Sequence, residues 1–457
     1  MKIKDDIKPN IFREYDIRGI YPTEIDEDIA YTIGLSYGSY LQKKLGKKEC
    51  IVGQDNRVSS PSICDALIKG ITESGCNVIN LGLCTTPMNY YYRFKINMLG
   101  IQVTASHNPK EYNGFKFSFD PLSNARGDMI YDFRCFTAQK DFLNGVGKVE
   151  NIDITEEYTT YLRNNLNMGK RRLKIVIDPG NGTASDFVKD IHEDLNLDIT
   201  YINAESDGTF PSHHPDPNEE KNMEQLREKV LELKADVGIG YDGDADRVGF
   251  IDELGNFILP EKFMIIIARD LKDIIKNKEL LYDIKCTKSL EDELVRLGIT
   301  PYEYRTGGSH TQAETLRREL CFGGEYSGHL YFNDRIFGNS CGMYAGLRLL
   351  EILSKTDKSF SELFEGINHY ESTPEIRIEC PEDKKFAIPE VIKQYCIEKN
   401  YTINDIDGVK VKFDDGWALV RASNTAPQLT IRYEAKTNSR LEELKTEFNL
   451  LIEKELK

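Results

Sequence analysis

The sequence lacks the patterns that mark several large classes of protein. Its ten cysteines are scattered among 457 residues, with no Cys-x-x-Cys pair and no Cys/His spacing typical of a metal site. We therefore expect a reduced, cytoplasmic protein. No apolar run reaches a membrane-spanning length, and the first residues contain no apolar core of signal-peptide length. Nucleotide-binding patterns of the Walker and Gly-x-Gly-x-x-Gly types are also missing.

Positive charge is in short supply as well. The chain has 59 Lys and Arg against 75 Asp and Glu, which gives a net charge of -16. An acidic chain is a poor general binder of nucleic acid or of anionic membranes, so we expect neither as a partner. If the substrate is anionic, the cations that bind it must be concentrated locally.

A strand–helix–strand pattern occurs three times along the chain. Apolar strands are predicted at 50–53, 173–177 and 281–284, and each is followed by a helix and a further strand. The spacing predicts three similar α/β domains with helices on the faces of mainly parallel sheets. From about residue 370 the order changes, and the turn Asp414-Asp415-Gly416-Trp417 predicts a hairpin in a C-terminal α+β domain.

The stretch from Thr104 to Pro109 contains an unusual Ser-His-Asn-Pro run after an apolar strand at 98–103. Ser106 is therefore expected where a strand ends, which is where ligands bind in open α/β sheets. A serine in this place is either a nucleophile or the cap of a turn. The stretch alone does not decide between the two.

Three carboxylates alternate in Asp242, Asp244 and Asp246, after an apolar strand at 236–240. Carboxylates this close repel one another unless a cation neutralises them, and an all-oxygen ligand set favours Mg²⁺. The start resembles an EF-hand loop, but Arg247 stands where that loop requires glycine. The alternative is an acidic loop in solvent.

Two later segments have polar groups suited to a sugar phosphate. Phe322 to His329 places an acid, a hydroxyl and an imidazole between glycines, which suits sugar hydroxyls. Arg421 to Pro427, with Arg432, has the composition of a phosphate-binding loop. The alternatives are a polar turn and arginines placed for solubility. Together, the serine, the acidic loop and these segments indicate phosphoryl transfer on a sugar phosphate.

Over essentially its whole length the chain resembles the α-D-phosphohexomutase superfamily, specifically its phosphomannomutase/phosphoglucomutase group. The resemblance implies three similar mixed-sheet α/β domains and a C-terminal α+β domain, shaped like the TATA-box-binding protein, around a central cleft. We expect a phosphoserine domain at 1–150, a metal-binding domain at 151–253, a sugar-binding domain at 254–369 and a phosphate-binding domain at 370–457. The matching segments are Tyr15 to Gly19, Thr104 to Pro109, Asn113 to Lys116, Asp178 to Thr183, His213 to Pro217, Asp242 to Arg247, Glu325 to His329 and Arg421 to Thr425.

The resemblance also implies roles for individual residues. Ser106 would carry a phosphoryl group and, with the three aspartates, hold Mg²⁺. The expected catalytic residues are Ser106, Arg18, Lys116, Arg247 and His329, with Lys116 and His329 as candidates for general acid and base. The expected metal ligands are Ser106, Asp242, Asp244 and Asp246. The expected substrate-binding residues are Glu325, Ser327, His329, Arg421, Ser423, Asn424, Thr425 and Arg432.

The implied activity is reversible 1,6-phosphoryl transfer on mannose or glucose phosphates through a hexose 1,6-bisphosphate, which would also be the activator. The alternatives are a phosphoglucosamine mutase, whose members usually have glutamine where Tyr326 stands, a Mg²⁺-dependent serine phosphatase, and a silent binding homologue. We expect a monomer or a weak homodimer.

Two positions depart from the group: Ala105 replaces a common glycine, and the loop 305–310 lacks the histidine often found directly after Thr-Gly, with His310 two positions later.

Overall fold

The computed structural model describes residues 1–275, 278–423 and 427–456. The chain forms two compact units. The first unit comprises Met1–Pro260, Gly308–Phe322 and Ser327–Leu363, and the second comprises Glu261–Gly307, Gly323–Tyr326 and Phe364–Lys457. Among the described helices, none combines the length and the apolar character needed to cross a bilayer.

The described chain contains α-helices and β-strands numbered here in chain order. The helices are α1 (Glu27–Leu45), α2 (Ser60–Glu73), α3 (Thr86–Ile96), α4 (Asp128–Gln139), α5 (Thr155–Asn164), α6 (Val188–His192), α7 (Glu224–Leu233), α8 (Pro260–Leu271), α9 (Lys288–Arg296), α10 (Gly308–Arg317), α11 (Gly342–Ser354), α12 (Ala387–Glu398) and α13 (Asn438–Leu456). The strands are β1 (Ile17–Ile20), β2 (Glu49–Gln54), β3 (Asn77–Leu83), β4 (Gly100–Val103), β5 (Tyr112–Phe117), β6 (Val149–Asn151), β7 (Leu173–Asp178), β8 (Leu197–Tyr201), β9 (Val237–Tyr241), β10 (Val248–Asp252), β11 (Phe257–Ile258), β12 (Glu279–Asp283), β13 (Thr300–Tyr304), β14 (Phe322–Gly324), β15 (Leu330–Phe332), β16 (Glu371–Ser372), β17 (Ile376–Glu379), β18 (Thr402–Asn404), β19 (Val409–Phe413), β20 (Gly416–Ala422) and β21 (Gln428–Ala435).

The first unit contains two mixed sheets with the same parallel centre. In the first sheet, of order β1-β5-β4-β2-β3-β6, strand β2 pairs in parallel with β3 and β4, while β5 pairs antiparallel to β4. In the second sheet, of order β11-β10-β9-β7-β8, strand β7 pairs in parallel with β8 and β9, while β10 is antiparallel to β9. Strands β4 and β9 thus have the same place in their sheets, each between a parallel and an antiparallel neighbour. The Ser106 loop directly follows β4, and the acidic loop directly follows β9.

Helix α2 illustrates how local sequence starts an element on a sheet face. It begins at Ser60, with Pro61 in the first turn, where the missing N–H of proline costs no hydrogen bond. Its residues Ile63, Leu67 and Ile71 recur at helical spacing and are buried in the core of this part of the first unit. Ser60 and Pro61 thus mark the start of the helix that follows β2.

In the second unit the parallel pattern occurs a third time, because β12 pairs in parallel with β13 and with β14. The C-terminal part is an antiparallel sheet in which β21 pairs with β20, β16 and β17, and β20 with β19. Helices α12 and α13 pack on this sheet and bury Ile392, Leu444 and Phe448. The predicted fold class, α/β repeats followed by an α+β domain, is confirmed.

Buried ion pairs join strands and helices within the second unit. Arg432 on β21 has no exposed surface and donates from Nη2 to Glu261 Oε1 at 2.6 Å and from Nη1 to Glu261 Oε2 at 2.8 Å. Lys410 on β19 donates to Glu303 Oε1 on β13 at 2.7 Å. A buried charge whose partner is removed is strongly destabilising, so these pairs fix how the elements of this unit pack.

We predict that Glu261→Ala lowers the free energy of unfolding of the second unit by about 3–5 kcal/mol, because it leaves the Arg432 guanidinium buried without its carboxylate. Chemical denaturation followed by circular dichroism measures the change. The control is Glu442→Ala on α13, whose carboxylate pairs with Lys445 at the surface, and this variant should unfold like the wild type. Equal unfolding midpoints for the two variants would contradict the structural role of Arg432.

Candidate active site

Ser106 lies in a turn three residues after β4. Its backbone has a φ of +50°, and its N–H donates to Thr104 Oγ1 at 2.8 Å. Its hydroxyl donates to Asp242 Oδ2 at 2.7 Å, across 136 positions of sequence. The serine therefore does more than cap its own turn, because its Oγ points at the acidic loop.

A buried arginine that the sequence analysis did not single out holds the Ser106 turn. The Arg57 guanidinium donates from Nη2 to the carbonyls of Ser106 at 2.6 Å and Asn108 at 2.8 Å, and from Nη1 to that of Pro109 at 2.8 Å. Its charge is balanced by Asp55, 3.1 Å from Nε. One planar cation thus gathers three carbonyls and fixes the backbone of the turn.

Asp242, Asp244 and Asp246 follow β9 and form one buried cluster. One carboxylate oxygen from each lies within 4.8 Å of the others. Asp242 and Asp244 are 0 % exposed and Asp246 is 2 % exposed, which excludes the alternative of an acidic loop in solvent. Gly243 lets the two loops meet, because a Cβ there would lie 2.5 Å from the Ser106 carbonyl oxygen.

Lys116, at the end of β5, compensates part of this charge. Its Nζ donates to Asp244 Oδ2 at 2.7 Å and to Asp246 Oδ2 at 2.6 Å. Burial alone would lower the pKa of Lys116, but Asp244 and Asp246 raise it above its ordinary value, so the amine is an ammonium. Burial and the neighbouring carboxylates hold the pKa of Asp242 well above its usual range. One ammonium is therefore not enough for three carboxylates.

Two carboxylate oxygens of the cluster are left for a further cation. Oδ1 of Asp244 and Oδ1 of Asp246 are buried and have no hydrogen-bond partner within the described ranges. The other oxygen of Asp244 accepts from Thr86 at 2.5 Å and from Thr104 at 3.0 Å, which fixes the carboxylate. Unpartnered buried carboxylate oxygens are costly, and an all-oxygen donor set suits a hard divalent cation. The residues present fit Mg²⁺.

Arg247 and His329 lie together at the end of this loop. Arg247 Nε donates to His329 Nε2 at 3.2 Å, and His329 Nδ1 is 2.9 Å from Ser340 Oγ. Because the Ser340 hydroxyl donates to the Asp246 carbonyl at 2.6 Å, it accepts from Nδ1–H. Burial and the Arg247 cation hold the pKa of His329 well below its ordinary value, so the imidazole is neutral with its lone pair on Nε2.

Arg18 lies on the other side of the Ser106 turn. Its Nη1 donates to Asn108 Oδ1 at 2.5 Å and to the Ala105 carbonyl at 3.3 Å, and its Nη2 pairs with Asp16. The first unit thus brings together Ser106, the three aspartates and the predicted cations. These residues are Arg18, Ser106, Lys116, Asp242, Asp244, Asp246, Arg247 and His329.

His310, whose role the sequence left open, also belongs to the first unit. Its Nε2 is 3.0 Å from Glu14 Oε1, and its ring lies edge-on to Tyr15. His310 therefore braces the loop that leads into Arg18. Ser327 also lies in the first unit, and its carbonyl accepts from the Asn218 amide.

The second unit contains the other predicted binding residues. Glu325 is 1 % exposed, and its Oε1 accepts from the Gly307 N–H at 2.9 Å. Arg421 pairs with Asp407 at 3.0 Å, and the carbonyl of Ser423 accepts from buried Lys385 at 2.9 Å. Asn424 and Thr425 lie outside the described residues. Arg432, predicted for the phosphate loop, is fully buried and paired with Glu261.

Comparison with known proteins identifies the family. The four domain profiles of phosphoglucomutase/phosphomannomutase match in order: α/β/α domain I over residues 9–131, domain II over 156–255, domain III over 260–370 and the C-terminal domain over 375–451. The chain belongs to this family. The matched segments contain every residue of the cluster described above.

Relatives in the phosphoglucomutase/phosphomannomutase family align along nearly the whole chain. A phosphomannomutase/phosphoglucomutase of Pseudomonas aeruginosa is 38% identical over 447 residues, 96% of this chain and 94% of that protein. A phosphoglucomutase of Neisseria meningitidis is 35% identical over 452 residues, 98% of this chain and 97% of that protein. The crystal structure of a family protein from Burkholderia thailandensis is 30% identical, with a TM-score of 0.91 and 98% of each chain covered.

Several residues that shape the site carry weak sequence signals. Arg57, Thr86 and Ser340 are single polar residues whose partners lie far away in sequence. Only Thr86 has a usable signal. Thr85-Thr86-Pro87 is a helix start directly after β3, and β3 and β4 are both parallel to β2. Parallel strands end at the same edge, which predicts proximity to Ser106.

We predict that the cluster binds Mg²⁺ and that Asp244→Asn weakens this binding by about tenfold or more, because it removes an anionic ligand. Isothermal titration calorimetry with magnesium chloride measures the affinity. The matched control is Asp252→Asn, at the end of β10, whose carboxylate accepts only from amides of its own turn among the described contacts. Unchanged Mg²⁺ affinity in Asp244→Asn would refute the metal assignment.

Proposed function

We propose that this protein catalyses the reversible 1,6-transfer of a phosphoryl group on glucose and mannose phosphates, with Ser106 as the phosphoryl carrier. The observation that carries the proposal is the Ser106 hydroxyl, buried and 2.7 Å from a carboxylate of the Asp242 cluster. The names of relatives that are 35% to 38% identical over nearly the full chain support the choice of sugars.

Two transfers make up one turnover. In the first, the bond between phosphorus and Ser106 Oγ breaks while phosphorus bonds to the free hydroxyl oxygen of the hexose phosphate, and the hydroxyl proton passes to a base. The product is a hexose 1,6-bisphosphate, which also serves as the activator that loads Ser106. After it turns end for end, its other phosphoryl group returns to Ser106 by the reverse step.

Ser106 and the three aspartates would hold Mg²⁺. Bound there, the ion would supply positive charge that stabilises the transferring group and the oxygens at either end of the transfer. Lys116 adds a fixed positive charge beside Asp244 and Asp246. Arg18 places a further cation beside the Ser106 turn, and the Arg247 cation lies against His329.

His329 is a candidate to accept the sugar proton once Arg247 Nε releases the lone pair on Nε2. Its imidazole is neutral, and its Nε2 lone pair is held by a hydrogen bond from Arg247. Lys116 keeps its proton because two carboxylates surround it, which suits an electrostatic role or that of an acid. We assign these roles on the geometry of the site.

The remaining predicted residues would bind the substrate. Glu325 and Ser327 present oxygens for the sugar hydroxyls, and Arg421, Ser423, Asn424 and Thr425 would bind the phosphate that is not reacting. The assignment extends to segments: 1–150 carries the nucleophile, 151–253 the metal, 254–369 the sugar site and 370–457 the phosphate site. All ten cysteines lie in the described part of the chain and none of them forms a disulfide, which supports the proposal of a cytoplasmic enzyme.

We predict that the purified protein with Mg²⁺ and a trace of glucose 1,6-bisphosphate converts glucose 1-phosphate and mannose 1-phosphate into their 6-phosphates faster than it converts glucosamine 1-phosphate. A coupled enzymatic assay measures the rate at which each 6-phosphate forms. Ser106→Ala should lower the rate by about 10³-fold or more, because the carrier oxygen is lost.

The control is the melting temperature of Ser106→Ala, which should match that of the wild type. Release of inorganic phosphate in place of the 6-phosphates would identify a phosphatase. Preference for glucosamine 1-phosphate would identify a phosphoglucosamine mutase. Either outcome, or full activity of Ser106→Ala, contradicts the proposed function.

A further inference from the structure

Asp407 lies beside the arginine that we assign to phosphate binding. Asp407 precedes β19, and Arg421 is near the end of the neighbouring strand β20. Arg421 Nε donates to Asp407 Oδ2 at 3.0 Å, and Nη2 donates to Oδ1 at 3.3 Å. The side chains are 7% and 9% exposed. A two-point contact of this kind fixes the plane of the guanidinium as well as its position.

The backbone next to Asp407 is built for this approach. Gly408 has a φ of +79°, which favours glycine, and a Cβ there would lie 2.5 Å from the Val420 carbonyl oxygen and 2.6 Å from Arg421 Cβ. The turn is therefore packed directly against β20. Asp407 is a fixed partner of Arg421 and not a side chain that swings in from a distant loop.

The same carboxylate also contacts the loop that supports Glu325. The Thr306 N–H donates to Asp407 Oδ2 at 3.0 Å, and the next residue, Gly307, donates its N–H to Glu325 Oε1 at 2.9 Å. The Thr306 hydroxyl is held in turn by Asp283 Oδ2 at 3.0 Å. One carboxylate thus touches both the phosphate-binding arginine and the backbone that positions the sugar-binding acid.

We propose that Asp407 is a positioning residue that orients Arg421 for the non-reacting phosphate of the substrate and couples it, through Thr306, to Glu325. The proposal rests on the proposed function for the identity of the substrate. Asp407 accepts from Nε and Nη2, so it fixes the plane and position of the guanidinium that would bind the phosphate. Its effect on substrate binding passes through Arg421.

The test is the affinity of Asp407→Asn for glucose 6-phosphate, measured by isothermal titration calorimetry, together with KM and kcat. We expect affinity to fall about tenfold, the effect of losing one charge-assisted hydrogen bond, and KM to rise by a similar factor with a smaller change in kcat. The control is Asp405→Asn on the same turn, because Asp405 is 56% exposed and pairs with Lys393. It should bind like the wild type.

A double-mutant cycle separates positioning from a general structural effect. In an Arg421→Ala background, Asp407→Asn should cause no further loss of affinity, whereas a structural role would lower affinity in both backgrounds. If Asp407→Asn fails to fold, Arg421→Lys serves instead. Lysine keeps the charge but loses the two-point contact, so affinity should again fall about tenfold.

Unchanged or tighter binding by Asp407→Asn would overturn the proposal, because the carboxylate would then be irrelevant or would compete with phosphate. Wild-type binding by Arg421→Lys would overturn it as well. The binding experiment is independent of turnover. A wild-type protein that binds glucose 6-phosphate without isomerising it would refute the proposed function and leave the role of Asp407 to be decided by the variants.

Discussion

The structure of the candidate active site depends on the cost of burying three carboxylates together. Asp242, Asp244 and Asp246 offer oxygens within 4.8 Å of one another, with almost no exposure to water. Lys116 supplies one positive charge, and the Thr86 and Thr104 hydroxyls stabilise Asp244 further. The charge that remains is the physical reason to propose a divalent cation at this place. The same cluster receives the Ser106 hydroxyl, so the proposed nucleophile and the proposed metal site are one arrangement.

Much of this could be predicted from sequence because the relevant signals are local. Apolar strands followed by polar turns predict which residues lie at the carboxyl edge of a parallel sheet, and the loops after β4 and β9 are both of this kind. What local signals cannot supply is the contact between the two loops. Ser106 and Asp242 are 136 positions apart, and the close approach depends on Gly243. The family resemblance, not the spacing, predicted their pairing.

The arginines show most clearly what composition cannot predict. Composition does not distinguish Arg57, Arg421 and Arg432 from one another, yet each has a different environment in the structure. Arg57 gathers carbonyls of the Ser106 turn, and Arg432 is fully buried against Glu261. Arg421 is paired along one edge with Asp407, a residue that the sequence did not single out. A guanidinium is assigned to binding or to structure by its partners, and those partners come from distant parts of the chain.

The most direct test of the account is to locate the phosphoryl group on the protein itself. The protein is incubated with glucose 1,6-bisphosphate and Mg²⁺, and the site of phosphorylation is mapped by mass spectrometry before and after addition of excess glucose 1-phosphate. We predict one phosphoryl group, on Ser106, which is lost when the sugar phosphate is added. Phosphate on another residue, or phosphate on Ser106 that the sugar phosphate does not remove, would contradict it.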